Sequence, residues 1–484
     1  MAESSLSDID VSSDKVFSSA VSNELTDFIK GLYQNKNTRF ATFSFAIDAI
    51  DPLAYLEMCW NKDSYQYYWE QPADQFAIAA GNELLSISAS GKSRFKETQS
   101  KIADIRKDTA EFSMISHPYS GMMFLGGFSF FDTMPETPWE AFKPATLSIP
   151  KWLIIKEGKF SLATIAVSLE EHNSPGALNN YVIEQFNRLT ASIKSSFYRE
   201  TTNEGNTKAM LPDNGGTEYN RWISSVCKAK EHISQNNFSK IVLARHIAVS
   251  NISAVAPTQV INNLRQHYSN CYNFLIHRPN GNTFLGSTPE RLGAFRDRMM
   301  LTDALAGSIK RGRTATEDSI LEKDLSSSRK NRNEHNFVIR AIEERLTPLA
   351  ESIHRSRNPE IKKLSNVQHL YTPIRLKLKK KIDILEVIGK LHPTPAVGGY
   401  PWQKAAPYIR KLEDFDRGWY AGTVGWLNST GSGEFAVAIR SGLLTQNEAH
   451  FFAGCGIVED SDPAAEWEET NLKLKPMLSA LQYD

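Results

Sequence analysis

The sequence has no surplus of charge of either sign: 55 lysine and arginine side chains balance 55 aspartates and glutamates. That balance argues against a nonspecific grip on nucleic acid or on a membrane surface, though not against a local basic pocket. No stretch reaches the ~18 apolar residues that a membrane-spanning helix needs. Cysteine is scarce. The four present (Cys59, Cys227, Cys271, Cys455) are scattered and have no metal-ligand spacing. They read as reduced thiols in a reducing compartment. The opening stretch, MAESSLSDIDVSSDKVF, holds neither the apolar run of a signal peptide nor an arginine-rich transit pattern. A cytoplasmic location is the expectation.

The 484 residues, 41 % of them hydrophobic, suffice for a large core. No internal repeat is visible. Residues 1–100 mix short apolar runs with polar turns. Residues 101–200 carry a helix and then strand-like runs, GMMFLGGFSFFD and ATLSIPKWLIIKEGKFSLATIAV. A low-order linker and hinge is expected around 200–216, at ETTNEGNTKAMLPDNGGTE. The second half alternates strands and helices. KIVLARHIAVS reads as a strand, and NFLIHRP and TFLGSTPE as a pair around a turn. DSILEKDLSSSRKNRNEHNFVIRAIEERLTPLA reads as one long helical region, followed later by three hairpin-linked strands from GWYAGTVGWLN to AHFFAGCGIVE. Hairpins plus long helices predict an α+β fold rather than a parallel doubly wound sheet.

The last helix poses a question. In DPAAEWEETNLKLKP, Asp462 and Pro463 mark a helix start. Glu466, Glu469 and Lys473 then share one face, beside an apolar stripe of Trp467, Leu474 and Leu478. Pro476 is expected to end or kink the helix. Paired carboxylates there are ordinarily a solvated face. Glu334, in RNEHNFV, supplies a third carboxylate. Three carboxylates placed together cannot all stay ionised without a cation, and oxygen-only ligands suit Mg²⁺.

Other candidates each have a plain alternative. Lys240 starts a strand, where a lysine is ordinarily exposed. Glu290 follows a proline in a turn, often a solvated loop. The small-residue turn Ala306-Gly307-Ser308 presents backbone N–H groups, as do Gly454 and Gly456 in AGCGI, but such turns alone are weak signals. His369, among apolar neighbours, reads as a satisfied core histidine. Arg440, taken as mid-strand in AVAIRSG, is the least ordinary, because burying it demands an anion.

In this order, the segments KIVLAR, GSTPERL, ALAGSIKRG, RNEH, QHL, LHPTPAVGG, RGWYAGTVGW, EFAVAIRSGLL and FAGCGIVEDSDPAAEWEETNLKLKP resemble the chorismate-utilising enzymes, most closely those of the isochorismate synthase type. The resemblance is strong over about 235–482. It thins towards the N-terminus, where GGFSFFD and the stretch from Pro138 to Pro150 still fit. It implies one composite α+β domain of two layered antiparallel sheets flanked by helices, with the active site between them. Residues 1–200 would be a divergent part of that fold and 217–484 the chorismate-binding catalytic region. By resemblance, Glu334 and Glu469 are Mg²⁺ ligands, with Glu466 in the same shell through water. Lys240 is the general base and Glu290 the general acid. Arg440, Tyr420, Lys473 and the Gly454 backbone hold substrate carboxylates. Gly307 and Ser308 line the pocket near the leaving hydroxyl, and His369 is the substrate-side histidine. Many relatives carry an acidic residue where this chain has Asn331, so Asn331 is left out of the ligand set.

Two positions then narrow the reaction. Relatives that use ammonia from an amidotransferase lack a lysine at the position of Lys240. Water is the poorer nucleophile and needs a base. A threonine is usual, in salicylate- and anthranilate-forming relatives, where this chain has Ala396. The resemblance therefore implies an isomerase that converts chorismate to isochorismate with Mg²⁺, with salicylate synthase as the alternative. It implies no amidotransferase subunit and a monomer, and a product for menaquinone, siderophore or salicylate biosynthesis. His392 reads as structural.

Overall fold

A computed structural model describes residues 19–194 and 216–481, except 251, 253–254, 280 and 365–366. The expected hinge over 200–216 lies outside the described residues save for its last position.

The elements before the hinge are α1 (Ser19–Gln34), β1 (Phe40–Ile47), α2 (Pro52–Met58), β2 (Gln66–Gln71), β3 (Phe76–Ala89), α3 (Arg94–Lys107), β4 (Thr109–Ser113), β5 (Met123–Phe128), β6 (Ala145–Glu157), β7 (Phe160–Ser168) and α4 (Pro175–Lys194). After it come α5 (Thr217–Ser234), β8 (Lys240–Ser250), α6 (Pro257–His267), β9 (Tyr272–His277), β10 (Thr283–Thr288), β11 (Arg291–Arg296) and β12 (Met299–Lys310). The chain continues through α7 (Ala315–Ser327), α8 (Arg329–Leu346), β13 (Ala350–Arg355), β14 (Glu360–Lys363), β15 (Val367–Leu378), α9 (Ile384–Leu391), β16 (Gly399–Tyr400) and α10 (Trp402–Leu412). It ends with β17 (Thr423–Asn428), β18 (Gly433–Val437), β19 (Ser441–Leu444), β20 (Glu448–Ile457) and α11 (Pro463–Leu481).

Strand pairing follows a path that forks. β4 lies parallel to β1. From β1 an antiparallel series runs through β7, β6, β3, β2, β9, β10, β19, β20 and β8 to the short β16. β6 is long enough to serve two sheets: its end at Trp152–Glu157 pairs with β7, and its start at Ala145–Ser148 pairs with β5. From β5 a second series runs through β17, β18, β11 and β12 to β15, whose far edge carries both β13 and β14. Strands from before and after residue 200 are direct neighbours, β2 on β9 and β5 on β17.

β5, β9, β10 and β17 are buried at every position, because they are covered on both faces. That is why they read as continuous apolar runs rather than alternating ones. The largest apolar cluster draws on both series and includes Trp69, Phe124, Trp139, Phe284 and Trp419. A second packs α2, α6 and α11 on the first series, and a third packs α1 and α4 on β1 and β7.

Three local expectations are corrected. Pro476 does not end the last helix, which runs on to Leu481. Leu474, Met477, Leu478 and Leu481 are all buried there. At roughly 1.5–3 kcal/mol per side chain, their burial outweighs the ~3 kcal/mol cost of an internal proline. The long helical region is two helices, split at Ser328, whose hydroxyl accepts from the Asn331 N–H at 3.3 Å and caps α8. Arg440 is not mid-strand. It lies between β18, which belongs to the second series, and β19, which belongs to the first, with φ at 51°. The chain changes sheets at this residue.

Candidate active site

A cavity of about 260 Å³ opens between the two series of strands. Val242 of β8 and Phe452–Gly456 of β20 line one side, and Leu305–Ser308 of β12 with His369 of β15 line the other. Lys330, Asn331 and Glu334 of α8 and Glu466, Glu469 and Lys473 of α11 close it. Glu290, Ala396, Tyr420 and Arg440 enter from connecting segments. Every site residue singled out from the sequence except Lys240 therefore lines one cavity.

Lys240 sits just behind that wall. It is buried, not exposed as a strand-start lysine ordinarily is. Its Nζ lies 2.7 Å from Glu334 Oε1. The space comes from a missing side chain: a Cβ on Gly456 would fall 2.6 Å from Lys240 Cε and 3.3 Å from Glu334 Oε1. Gly456→Ala should therefore displace the lysine, costing at least tenfold in kcat with little loss of thermal stability. An unchanged kcat would mean that the exact seat of Lys240 is immaterial. Among the residues that sequence reasoning left without a role, Gly456 is the clearest, and its only signal was the small-residue run AGCGI.

Glu290 lies in the short segment between β10 and β11. Its carbonyl accepts from Val437 N at 3.0 Å, and its carboxylate from Thr394 Oγ1 at 3.3 Å. Burial pushes its carboxyl up to about 7; Asp303 adds to the rise, and Thr394, Lys240 and Lys362 oppose it. Nothing in LHPTPAVGG marks Thr394 as a partner of Glu290, because the contact joins residues 104 apart in the chain. If Glu290 must be protonated to act, activity falls as pH rises through about 7.

His369 is a neutral imidazole. Burial first, then Arg440, Lys473 and Lys362, bring it down to about 3. Nδ1 meets Ser308 Oγ at 2.8 Å, and Nε2 is buried with no hydrogen-bond partner among the described residues. It is therefore not fully satisfied as a core histidine would be. Across from it, β12 bulges at Gly307, where φ is 76° and a Cβ would stand 3.1 Å from Asn331 Cβ.

The cations are disposed unequally. Lys473 Nζ is 2.6 Å from Glu469 Oε1 and 2.9 Å from the Gly454 carbonyl. The buried Arg440 guanidinium has no hydrogen bond or ion pair among the described residues, and burial pushes its pKa down. A buried cation in this state is costly unless an anion joins it. Tyr420 is buried beside it, its ring stacked on Phe452 at 5.1 Å.

Glu334, Glu466 and Glu469 face the same cavity. Burial raises the Glu466 carboxyl, and the neighbouring Glu469 raises it further. Burial acts on Glu469 too, but pairing with Lys473 holds it below the usual range. Among the described residues, no three acidic, imidazole or thiol groups are gathered as tightly as the ligands of one ion. Glu334 and Glu469 instead each hold a lysine. His392 contacts the Phe130 carbonyl at 3.1 Å and lies outside the cavity lining.

The family model described as chorismate binding enzyme matches residues 27–482. The chain belongs to the chorismate-binding enzyme family. It is 38 % identical over 443 residues to the salicylate biosynthesis isochorismate synthase of Pseudomonas aeruginosa, across 90 % of this chain and 89 % of that one. It is 31 % identical over 468 residues to the isochorismate synthase MenF of Bacillus subtilis, across 94 % and 97 %. Among solved structures, the menaquinone-specific isochorismate synthase MenF of Escherichia coli matches with a TM-score of 0.73 at 24 % identity, over 96 % of this chain and 100 % of that one. Anthranilate synthase component I of Streptococcus pneumoniae matches at 0.69 and 20 %, over 84 % and 92 %. These two likenesses establish the fold of this chorismate-binding enzyme alone. Because an anthranilate synthase component shares that fold, the choice of reaction rests on side chains.

Proposed function

We propose that the protein is an isochorismate synthase, a reversible isomerase that adds water at C2 of chorismate and releases the C4 hydroxyl. The observation that carries this reading is a buried proton-holding carboxyl, Glu290, lining the cavity, with a buried lysine, Lys240, just behind its wall. Addition of water needs a base, and departure of hydroxide needs an acid.

In this reading Lys240 takes a proton from the attacking water as the C2–O bond forms. The ring double bonds shift, the C4–O bond breaks, and Glu290 gives its proton to the leaving oxygen. Arg440, Tyr420, Lys473 and the Gly454 backbone hold the substrate carboxylates. Gly307, Ser308 and neutral His369 shape the wall near the leaving hydroxyl. No electrons enter or leave, so no redox carrier is required.

The donor set fits Mg²⁺. Glu334, Glu466 and Glu469 are hard oxygen donors around one cavity; burial first, and then the neighbouring Glu469, raises the Glu466 carboxyl, and the second of these is a repulsion that a cation relieves. When bound, the ion supplies positive charge for a substrate carboxylate. The protein is read as acting without an amidotransferase and, as a monomer, in the cytoplasm.

Arg440→Ala should chiefly damage binding. A desolvated guanidinium meeting a carboxylate is charge-assisted, and its loss costs ~2–5 kcal/mol. If KM and kcat/KM hardly move, Arg440 is structural. The reading as a whole is tested by incubating the purified protein with chorismate and Mg²⁺ and separating the products. Isochorismate without pyruvate is expected. Salicylate with pyruvate would favour the salicylate synthase alternative, against which Ala396 speaks, and an aromatic amine on adding ammonia would mark an amine-forming synthase.

A further inference from the structure

Glu290 is carried on a two-residue connection, Pro289-Glu290, between the end of β10 at Thr288 and the start of β11 at Arg291. Its seat is fixed from three sides. Thr288 Oγ1 donates to the Val437 carbonyl at 2.7 Å, and Val437 N donates to the Glu290 carbonyl at 3.0 Å. The third tie comes from an unassigned residue, Lys362. Its Nζ donates to the carbonyl of Pro289, immediately before the acid, at 2.9 Å.

Lys362 is placed for this by the sheet. β14 is paired antiparallel to β15, with Lys362 directly opposite His369. The lysine thus lies beside the histidine and reaches across to the segment that carries Glu290. Asp303 of β12 stands behind it, 4.0 Å from Nζ and buried. Asp303 is itself fixed by Arg291 at 3.5 Å and by Tyr371 Oη at 3.2 Å, and the Tyr371 ring lies under the Lys362 ammonium at 5.2 Å. An ordinary edge-strand lysine extends into solvent. This one spends its charge on a main-chain carbonyl next to a buried carboxyl.

We propose that Lys362, backed by Asp303, is the positioning pair for Glu290: the ammonium clamps the peptide that carries the acid, and the pair sets the charge that the acid feels. This rests on the reading of Glu290 as the general acid. The charged and polar groups facing Glu290 are Thr394 from the segment after α9, Asp303 from β12, Lys240 from β8 and Lys362 from β14. Lys362 and Asp303 act on it with opposite signs.

Those opposite signs make the test specific. Lys362→Met removes the clamp and a positive charge. It should lower kcat by about ten- to a hundredfold, the scale of a small misplacement, with KM for chorismate nearly unchanged. It should also move the alkaline limb of the pH–rate profile upward by about half a unit or more. Asp303→Asn should move the same limb downward. Lys362→Arg keeps the charge and should return the limb towards its original position. Because Lys362 lies on the edge strand β14, Lys362→Met should keep its thermal midpoint, which a melting curve checks. Loss of kcat with an unmoved limb in both Lys362→Met and Asp303→Asn would overturn the inference. Persistence of the limb in the residual activity of Glu290→Gln would show instead that the acid itself is misassigned, a failure of the underlying reading that takes the inference with it.

Discussion

Lys240→Ala, or Lys240→Gln, is expected to lose roughly 10²–10⁴-fold in kcat, the usual share of general-base catalysis. The lysine is buried at the start of β8, behind the cavity wall and against Glu334. Lys240→Arg should not rescue, because guanidinium stays protonated at any working pH. Chorismate binding should survive in all three variants, since the cavity lining that meets the substrate carboxylates does not include Lys240. Near-native kcat in Lys240→Ala would mean that another group activates the water.

Glu334→Gln and Glu469→Gln should each abolish turnover while the fold remains. Each substitution is isosteric and removes a hard anionic oxygen. Each also releases a lysine that the carboxylate now holds, Lys240 at 2.7 Å and Lys473 at 2.6 Å. The loss should therefore be visible in two ways: activity disappears, and Mg²⁺ binding followed by calorimetry weakens in the absence of substrate. Unchanged thermal midpoints would separate this from unfolding. Near-normal turnover of either variant at low Mg²⁺ would remove the metal assignment. Asn331, which lines the same cavity, brings no charge to it, so the site depends on these carboxylates.

The site was legible where residues lie in strongly patterned segments. Glu466, Glu469 and Lys473 could be placed on one face because a helix start is written in Asp462 and Pro463. The α+β class was legible from hairpins and helical runs, and the antiparallel pair β9–β10 fell where the turn residues put it. The burial of Lys240 was not legible, because it depends on Glu334, 94 residues away, and on the absent side chain of Gly456. The turn at Arg440 was hidden inside AVAIRSGLL, where apolar residues on both sides of Arg-Ser-Gly read as one strand, although the chain changes sheets there. β13 and β14 are short and largely exposed, so no apolar pattern announces them. The first hundred residues matched little as motifs, yet β2 and β3 are paired into the middle of the first series. Pairing of that kind is decided by partners distant in sequence, not by local composition.

The central claim, that this cavity adds solvent water to chorismate under the control of Lys240, is tested most directly by running the reaction in ¹⁸O-labelled water and locating the label by mass spectrometry. The account predicts isochorismate carrying one ¹⁸O at the C2 hydroxyl, formed by the native protein and almost lost in Lys240→Ala. Isochorismate that forms without solvent label, its hydroxyl carried over from C4 of chorismate, would contradict it.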